Sequence, residues 1–228
     1  MEFSIGKRLA AEYVGTFFLV AVVIGSGIMG DKLSGGSVGL ALLANTIATG
    51  AILVVIILIF GNISGAHFNP AVTLVFWLRK EIGGGDTAAY MVLQIAGGIT
   101  GAIVAHIMFQ EPLIQWSSTQ RTGISQWIAE VVATFGLLAT ILGCLKTRPS
   151  AIPYAVGLFI SAGYWFTSST SFANPAVTIA RTFTDTFTGI SPAHVMPFII
   201  CQLIGATLAL VVFAWLWRGQ PKPLTRPE

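Results

Sequence analysis

The pentapeptide Asn69-Pro70-Ala71-Val72-Thr73 recurs without change as Asn174-Pro175-Ala176-Val177-Thr178. Asn is a favoured helix N-cap and Pro is well tolerated in the first helical turn, so each copy predicts the start of a helix. The predicted helices, over about 69–78 and 174–183, are only about half as long as a membrane span. The chain therefore contains two matching half-helices, and the rest of the fold can be worked out from their positions.

Two further pairs of segments repeat in the same order as the pentapeptide. Residues 11–17 (AEYVGTF) match residues 129–135 (AEVVATF), and residues 94–98 (QIAGG) resemble residues 202–206 (QLIGA). Each half thus carries a span, a span, a short segment and a span. Because the number of spans in each half is odd, the two halves have opposite orientations, as in the inverted repeats of transport proteins.

The composition excludes the soluble classes of protein. Of the 228 residues, 54% are hydrophobic and 9% are charged, whereas about 25% are charged in an ordinary soluble domain. The mean hydropathy is +0.81. The polar side chains are too few to cover a water-exposed surface, which argues against a soluble enzyme, a nucleic-acid-binding protein and a disordered chain. A polytopic membrane protein in a lipid bilayer is predicted instead.

The apolar runs predict an all-α membrane protein, because strand-type alternation is absent over their length. Six runs are long enough to be spans and lie near 9–29, 38–60, 87–109, 125–145, 151–168 and 195–217. The two short runs, near 66–78 and 171–183, contain the repeated pentapeptide. We expect one channel domain over 1–228, with halves of about 1–115 and 120–219.

The basic residues predict how the protein is oriented in the membrane. With the N-terminus in the cytoplasm, the outer side holds three basic residues, Lys32, Arg121 and Arg181. The cytoplasmic side then holds nine, namely Lys7, Arg8, Arg79, Lys80, Lys146, Arg148, Arg218, Lys222 and Arg226. This positive-inside bias places both termini in the cytoplasm, including a tail over 220–228.

Two facing helix N-termini would give the centre of the membrane a characteristic chemistry. Each terminus carries roughly half a positive charge, which repels cations, including protons. The side-chain amides of Asn69 and Asn174 can donate hydrogen bonds to a passing oxygen. The preceding segments, 61–67 and 167–171, are rich in small and hydroxyl residues, so their carbonyls can line a pore. These features predict a single-file pore for neutral polar solutes.

The decapeptide SGAHFNPAVT at 64–73 resembles the signature of the major intrinsic protein family, the aquaporins and aquaglyceroporins. The Ala-Glu-x-x-Gly-Thr-Phe pattern of the first span, the second Asn-Pro-Ala and the six spans agree with it over essentially the whole chain. The resemblance implies an hourglass fold of six transmembrane helices and two half-helices. It also implies a homotetramer with one pore in each subunit, and passive permeation of small neutral solutes.

Two carboxylates, Glu12 and Glu130, lie deep within predicted spans. Intramembrane carboxylates are functional-site candidates by default, and a proton relay is one interpretation. The family resemblance implies a structural role instead, in which each accepts hydrogen bonds from a loop backbone and holds a half-helix in place. His67 is expected to orient the cytoplasmic loop near the pore, with a gating role as the alternative.

Family members carry an aromatic/arginine filter on the outer side of the pore, and its arginine directly follows the second Asn-Pro-Ala. Val177 stands at that position here. Spacing from the first motif assigns a second filter position to Thr49, where water-selective members often have Phe. Ser171 is the third position. Tyr164 is the fourth, on an alignment that makes the following loop two residues shorter than is usual in the family.

The loss of this arginine predicts a wider and more apolar constriction, because a valine offers neither a permanent charge nor fixed donors. We expect permeation by water and by bulkier hydroxylated solutes such as glycerol-like polyols. Thr178 stands where the glycerol-facilitator pattern has Asp. The chain resembles bacterial channels associated with arsenic resistance, which implies a bacterial inner-membrane location and arsenite, As(OH)3, or related metalloid hydroxides as solutes.

Two other functions are compatible with parts of the sequence. A water-selective aquaporin shares the motifs and differs in its filter. A proton-coupled secondary transporter also has inverted repeats and broken helices, and Glu12 and Glu130 would have to supply its proton site. An enzyme is not predicted, because the sequence has no metal-spaced His pair, no Gly-x-Ser-x-Gly motif and no phosphate-binding loop. No metal, cofactor or catalytic residue is expected.

Overall fold

The computed structural model describes residues 3–219 and is all-helical over that range. It contains eight α-helices, which are α1 Ile5–Leu33, α2 Val38–Ser64, α3 Pro70–Leu78, α4 Gly84–Phe109, α5 Ile124–Thr147, α6 Ile152–Phe166, α7 Pro175–Ala180 and α8 Val195–Leu216. Short 3-10 helices precede α6 and α8 and follow α7. The predicted tail over 220–228, with Lys222 and Arg226, lies outside the described residues.

Five helices are long and apolar enough to cross a bilayer, namely α1, α2, α4, α5 and α8. The sixth predicted span, 151–168, corresponds to α6, which has 15 residues and is about 22 Å long. The 3-10 helix Pro149–Ala151 runs directly into it and adds roughly 6 Å. Together they approach the hydrocarbon thickness of about 30 Å. The six-span, two-half-helix architecture is confirmed.

The two short helices begin at the prolines of the repeated pentapeptide. Helix α3 has nine residues and α7 has six. Their N-caps, Asn69 and Asn174, have the same extended backbone with φ of −156°. The second half-helix was predicted to continue to residue 183, but its α-helical part ends at Ala180, and Arg181–Phe183 forms a 3-10 turn. The chain leaves the second half-helix through this tighter turn.

The helices pack as two equivalent halves. In the first half α1 packs against α2 and α4, and in the second α5 packs against α6 and α8. Contacts between α2 and α6 and between α3 and α7 join the halves. Gly97 lies against the Tyr13 carbonyl and Gly205 against the Val131 carbonyl, so closely that a methyl group would overlap the oxygen at either place. Small residues at both equivalent crossings let the helix backbones approach.

The outer surface is apolar, as a lipid environment requires. Among the most exposed side chains are Leu33, Leu158 and Trp215, each at least 70% accessible. Cys144 and Cys201 are free thiols. Both are half-buried, because their helix faces lie partly on this surface. Polar side chains are instead concentrated inside, around the two half-helices.

Candidate functional site: the facing half-helices and the cavity between the halves

Each Asn of the repeated pentapeptide caps its own half-helix. The Oδ1 of Asn69 accepts from the backbone N–H of Ala71 at 2.9 Å. The Oδ1 of Asn174 accepts from Ala176 at 2.9 Å and from Val177 at 3.3 Å. The side-chain oxygen thus satisfies N–H groups that the start of a helix leaves unpaired.

The amide nitrogen of each Asn bonds to the opposite half of the molecule. Asn69 Nδ2 donates to the carbonyl of Ala173, and Asn174 Nδ2 donates to the carbonyl of Phe68, both at 2.8 Å. Each bond therefore ends on the residue directly before the other Asn. A primary amide carries two N–H groups, and one on each Asn is used in this way. The two half-helix N-termini consequently meet and are joined directly.

The loops that lead into the half-helices share an unusual backbone. Ala66 and Phe68 have φ of 51° and 48°, and Ser171 and Ala173 have φ of 53° and 47°. These are the positions three and one before each Asn, and left-handed backbone is uncommon for residues other than Gly. Each such residue costs of order 1–3 kcal/mol and persists only where surrounding contacts enforce it.

Glu12 supplies such contacts to the first loop. Its side chain is fully buried, and Oε1 accepts from the backbone N–H of His67 at 3.0 Å and from the Ser64 hydroxyl at 2.6 Å. Its Oε2 accepts from the backbone N–H of Phe68 at 2.7 Å and from Gln94 Nε2 at 2.8 Å. The carboxylate thus accepts four hydrogen bonds, which compensate its removal from water.

Glu130 occupies the equivalent place in the second half. It is fully buried and accepts from the backbone N–H groups of Phe172 at 2.9 Å and Ala173 at 3.0 Å. Gln202 Nε2 donates to it at 2.6 Å. In both halves, therefore, a carboxylate holds the two N–H groups that directly precede the capping Asn.

A threonine and a glutamine complete the network in each half. Gln94 Nε2 also donates to the hydroxyl of Thr73 at 2.9 Å, and Gln202 Nε2 donates to that of Thr178 at 2.8 Å. Both hydroxyls donate in turn to the carbonyl of the capping Asn. The sequence repeat contained all four residues but did not indicate this network. The network accounts for Thr178, because Thr73 makes the same contacts in the other half.

His67 lies between the first loop and its half-helix. Its Nδ1 is 3.1 Å from the Thr73 hydroxyl, and its ring packs against Phe76 with centroids 4.5 Å apart. Tyr90 contacts the ring from another side, at 5.6 Å between centroids. The imidazole is thereby fixed beside the first half-helix.

A cavity of about 620 Å³ runs between the two halves. Both capping Asn residues line it, and so do residues on α2 from Thr49 to Asn62, a stretch of about 20 Å along the helix axis. The lining is largely apolar, and its polar members include both capping Asn residues. Pro70, Ala71, Pro175 and Ala176 are buried in the packed interior beside it.

The four predicted filter residues lie on the same cavity. Thr49, Tyr164, Ser171 and Val177 all line it, and each is at most 5% exposed. The Tyr164 hydroxyl donates to Thr49 Oγ1 at 3.2 Å. Ser171 Oγ has no hydrogen-bond partner among the described residues. Of the run Tyr164-Trp165-Phe166, only Tyr164 is buried, while Trp165 and Phe166 lie on the outer surface.

Sequence reasoning missed the burial of two residues, Arg181 and His106. Arg181 was counted among the three basic residues of the outer side, but it is 3% exposed and lines the cavity. Its spacing of four residues from Val177 on a helix was the signal for a shared face. His106 is buried and bonds to the Leu113 carbonyl and the Thr184 hydroxyl, both at 2.9 Å. It joins α4 to the loop before α5 and to the loop before α8.

Six spans, two facing half-helices and a cavity between inverted halves define a multi-pass membrane channel for small solutes. The chain belongs to the major intrinsic protein family, since the profile described as "Major intrinsic protein" matches residues 1–162. The prediction from the sequence signature is confirmed.

Individual relatives and a solved structure agree. The chain is 54% identical over 215 residues to aquaglyceroporin AqpS of Rhizobium meliloti (strain 1021), covering 94% of this chain and 92% of that one. It is 30% identical to aquaporin AqpM of Methanothermobacter thermautotrophicus over 93% of this chain and 98% of that one. The aquaglyceroporin from Plasmodium falciparum has the same fold, with a TM-score of 0.73 at 21% identity, covering 95% of this chain and 97% of that one.

Proposed function

We propose that the protein is a passive channel whose wide filter passes small neutral hydroxylated solutes, namely glycerol-like polyols, arsenite as As(OH)3, and water. The observation that carries this proposal is the cavity lining directly after the second Asn-Pro-Ala, where Val177 stands in place of an arginine. A valine occupies less of the cross-section than an extended arginine and forms no hydrogen bonds.

The polar groups opposite Val177 suit a hydroxylated solute. Thr49, Tyr164 and Ser171 bring three hydroxyls to the cavity, and the Ser171 hydroxyl has no other partner within the described chain. A polyol or As(OH)3 presents several hydroxyls that donate and accept, so it can replace water contacts in such a lining. The apolar stretches between these groups accommodate the carbon side of a polyol.

The relatives support a channel for small solutes. A protein named aquaglyceroporin is 54% identical to this chain over 215 residues. A water-selective channel is the second candidate, and Thr49 disfavours it because a small side chain at that position leaves the constriction open. Arsenite is inferred from its chemistry, since As(OH)3 is uncharged at neutral pH and displays its hydroxyls much as a polyol does.

The half-helix termini would exclude cations. Two partial positive charges meet where Asn69 and Asn174 are joined, and a cation at that point would be repelled. The second amide N–H of each Asn would donate to a passing solute oxygen. Glu12 and Glu130 would serve this centre by holding the two loops rather than by contacting the solute. His67, which lines the cavity, would hold the first loop from beside the solute path.

A proton-coupled transporter is disfavoured by the surroundings of the two carboxylates. Neither Glu12 nor Glu130 is among the residues that line the described cavity. Glu12 already accepts four hydrogen bonds, so protonation would break contacts that hold the first loop. We infer a bracing role for both residues and flux that follows the solute gradient alone.

The assembly and orientation follow from the family and from the charges. We infer a homotetramer in a bacterial plasma membrane, with one pore in each subunit and both termini in the cytoplasm. The basic residues that predict this orientation include Arg8, which pairs with Asp86, and Arg79, which pairs with Glu81.

The direct test is a flux panel in proteoliposomes that contain the purified protein. Stopped-flow light scattering would measure water and glycerol permeability, and arsenic determination would follow As(OH)3 uptake. We expect all three to exceed the values of protein-free vesicles. Water flux alone, with glycerol and As(OH)3 at the protein-free level, would instead identify a water-selective channel.

A further inference from the structure

Arg181 lies on the same side of the second half-helix as Val177. The two residues are four positions apart across α7 and the following 3-10 turn, so their side chains leave the helix on one face. Both line the cavity, and Arg181 is 3% exposed. A guanidinium thus stands one turn beyond the position from which the filter arginine is missing.

The Arg181 side chain is held in place by two contacts. Its Nε donates to the carbonyl of Thr188. Its guanidinium carbon lies 3.4 Å from the centroid of the Phe172 ring, which is a close cation–π stack. Phe172 itself is buried and rests edge-on against Phe198, at 5.3 Å between centroids. The charge is therefore presented in a fixed orientation.

Among the nitrogens of the Arg181 guanidinium, Nε is the one that donates a hydrogen bond within the described chain. In the described part of the chain, its terminal nitrogens have neither a hydrogen-bond partner nor a carboxylate partner. Arg has five N–H donors in a rigid fork, and Nε uses one of them. Four donors thus remain for a ligand at this end of the cavity.

A second unpartnered group points to the kind of ligand. The Ser171 hydroxyl is buried without a partner in the described structure and lines the same cavity. It directly precedes Phe172, on which the guanidinium stacks. The guanidinium N–H donors of Arg181 share this cavity with the Ser171 and Tyr164 hydroxyls. Together these groups match a solute that presents two or more oxygens.

We propose that Arg181 is the specificity-determining cation of this channel and replaces the missing filter arginine from one helical turn further out. Its fork, with Ser171 and Tyr164, binds the oxygens of polyols and neutral oxyacids, and its charge forms an outer barrier to cations. The proposal rests on the proposed channel function. The filter arginine is thus moved outward along the pore rather than lost. Val177 widens the pore between the Arg181 guanidinium and the half-helix termini.

The chain offers a matched control in Arg121. Its guanidinium carbon lies 5.1 Å from the centroid of the same Phe172 ring, and its Nε donates to the Gly189 carbonyl at 2.7 Å. Arg121 is not among the residues that line the cavity. The Arg121 charge stands beside the same aromatic ring but outside the cavity lining, so removing it should weaken the barrier to cations much less than removing the Arg181 charge.

The test is proton leak into proteoliposomes, read with an internal pH dye under a potassium-diffusion potential, beside water and glycerol permeability. We expect Arg181→Gln to raise the proton leak by about tenfold or more, because a charge in a low-dielectric pore is weakly screened. Water permeability should persist, and Arg121→Gln should raise the leak much less than Arg181→Gln does. The double variant Val177→Arg with Arg181→Gln should restore the low leak by returning a guanidinium to the usual position.

Two results would overturn the proposal. One is a wild-type leak together with a wild-type ratio of glycerol to water permeability in Arg181→Gln. The other is an equal leak in Arg121→Gln.

If Arg181→Gln fails to assemble, Arg181→Lys is the variant to test, because it keeps the charge and loses the fork of guanidinium N–H donors. It should retain the low leak and change the glycerol-to-water ratio, and an unchanged ratio would contradict the proposal. The leak is measurable even in a channel that passes only water, so this failure is distinct from failure of the proposed solutes.

Discussion

The side-chain amide of Asn69 donates to the carbonyl of Ala173, 104 residues away in the other half, at 2.8 Å. The equivalent bond runs from Asn174 to Phe68, also at 2.8 Å. Each Asn thus caps one half-helix and fixes the loop that leads into the other. The two halves of the repeat are consequently locked together at the point where their helix N-termini meet.

Replacing Asn69 with Ala should remove both functions of that side chain. We expect a loss of about 2–4 kcal/mol of stability, from a lost N-cap and an unpaired buried carbonyl at Ala173. Thermal unfolding in detergent, followed by Trp fluorescence, would measure the lower melting temperature. Asn62→Ala is the control, because Asn62 is exposed, and it should melt as wild type does. Equal melting of the two variants would contradict the reciprocal capping role.

Glu12→Gln should lower the stability of the protein and leave solute uptake independent of a pH gradient. The new amide would place an NH2 group against N–H donors that now meet a carboxylate, at a cost of about 1–3 kcal/mol. Glu81→Gln, at an exposed surface ion pair, should cost less than about 1 kcal/mol. Solute uptake should be insensitive to an imposed pH gradient in wild type and in both variants. Uptake that a pH gradient drives and Glu12→Gln abolishes would establish the coupled-transporter alternative.

Gly205→Ala should disrupt the crossing of α5 and α8. A methyl group at Gly205 would overlap the carbonyl oxygen of Val131, and forcing the two helices apart typically costs about 1–3 kcal/mol. Gly143→Ala places the same methyl group on α5 in ordinary contact, 3.6 Å from the Phe213 ring, and should be neutral or stabilising. Melting temperatures of the two variants would be compared. A Gly205→Ala protein as stable as Gly143→Ala would show that this crossing is not tightly packed.

Tyr164→Phe should change solute preference and leave the fold intact. The substitution removes the hydroxyl that donates to Thr49 and that is available to a solute. Since a hydrogen bond contributes about 0.5–1.5 kcal/mol net, glycerol permeability should fall roughly two- to tenfold relative to water. Tyr154→Phe is the control, because Tyr154 is 53% exposed on the outer surface. A glycerol-to-water ratio that is the same in both variants would remove Tyr164 from the solute path.

Local chemistry made the helices and their starts predictable. Asn before Pro specified both half-helix starts to within one residue, and the apolar runs located every span. The helix ends were less visible, since α1 extends to Leu33 and α2 to Ser64, because polar residues continue a helix without an apolar signal. Contacts across the repeat, such as that of Gln94 with Thr73, depend on tertiary packing that a single half does not encode.

The main feature that the sequence did not predict is the Arg181 charge inside the cavity. Arg181 lay within the predicted second half-helix and was counted with the charges of the outer side. Its burial depends on Phe172 and on the Thr188 carbonyl, which only the folded loops before and after α7 bring together. A basic residue in a sequence does not reveal whether it faces water or a cavity. Spacing of four residues from a known lining position is the one local signal that identifies it.

The proposed function depends on the width of the pore at Val177, and replacing this one residue tests it. Val177→Arg would place a guanidinium in the constriction, whereas Val177→Ile keeps the constriction apolar and serves as the control. Glycerol and As(OH)3 permeability of each variant would be measured beside water permeability in proteoliposomes. We expect Val177→Arg to lower glycerol and As(OH)3 permeability by about tenfold or more while water permeability stays within about threefold, since only the bulkier solutes meet the narrowed wall. If glycerol and As(OH)3 permeability are unchanged in Val177→Arg, Val177 lies outside the constriction and the proposed function is contradicted.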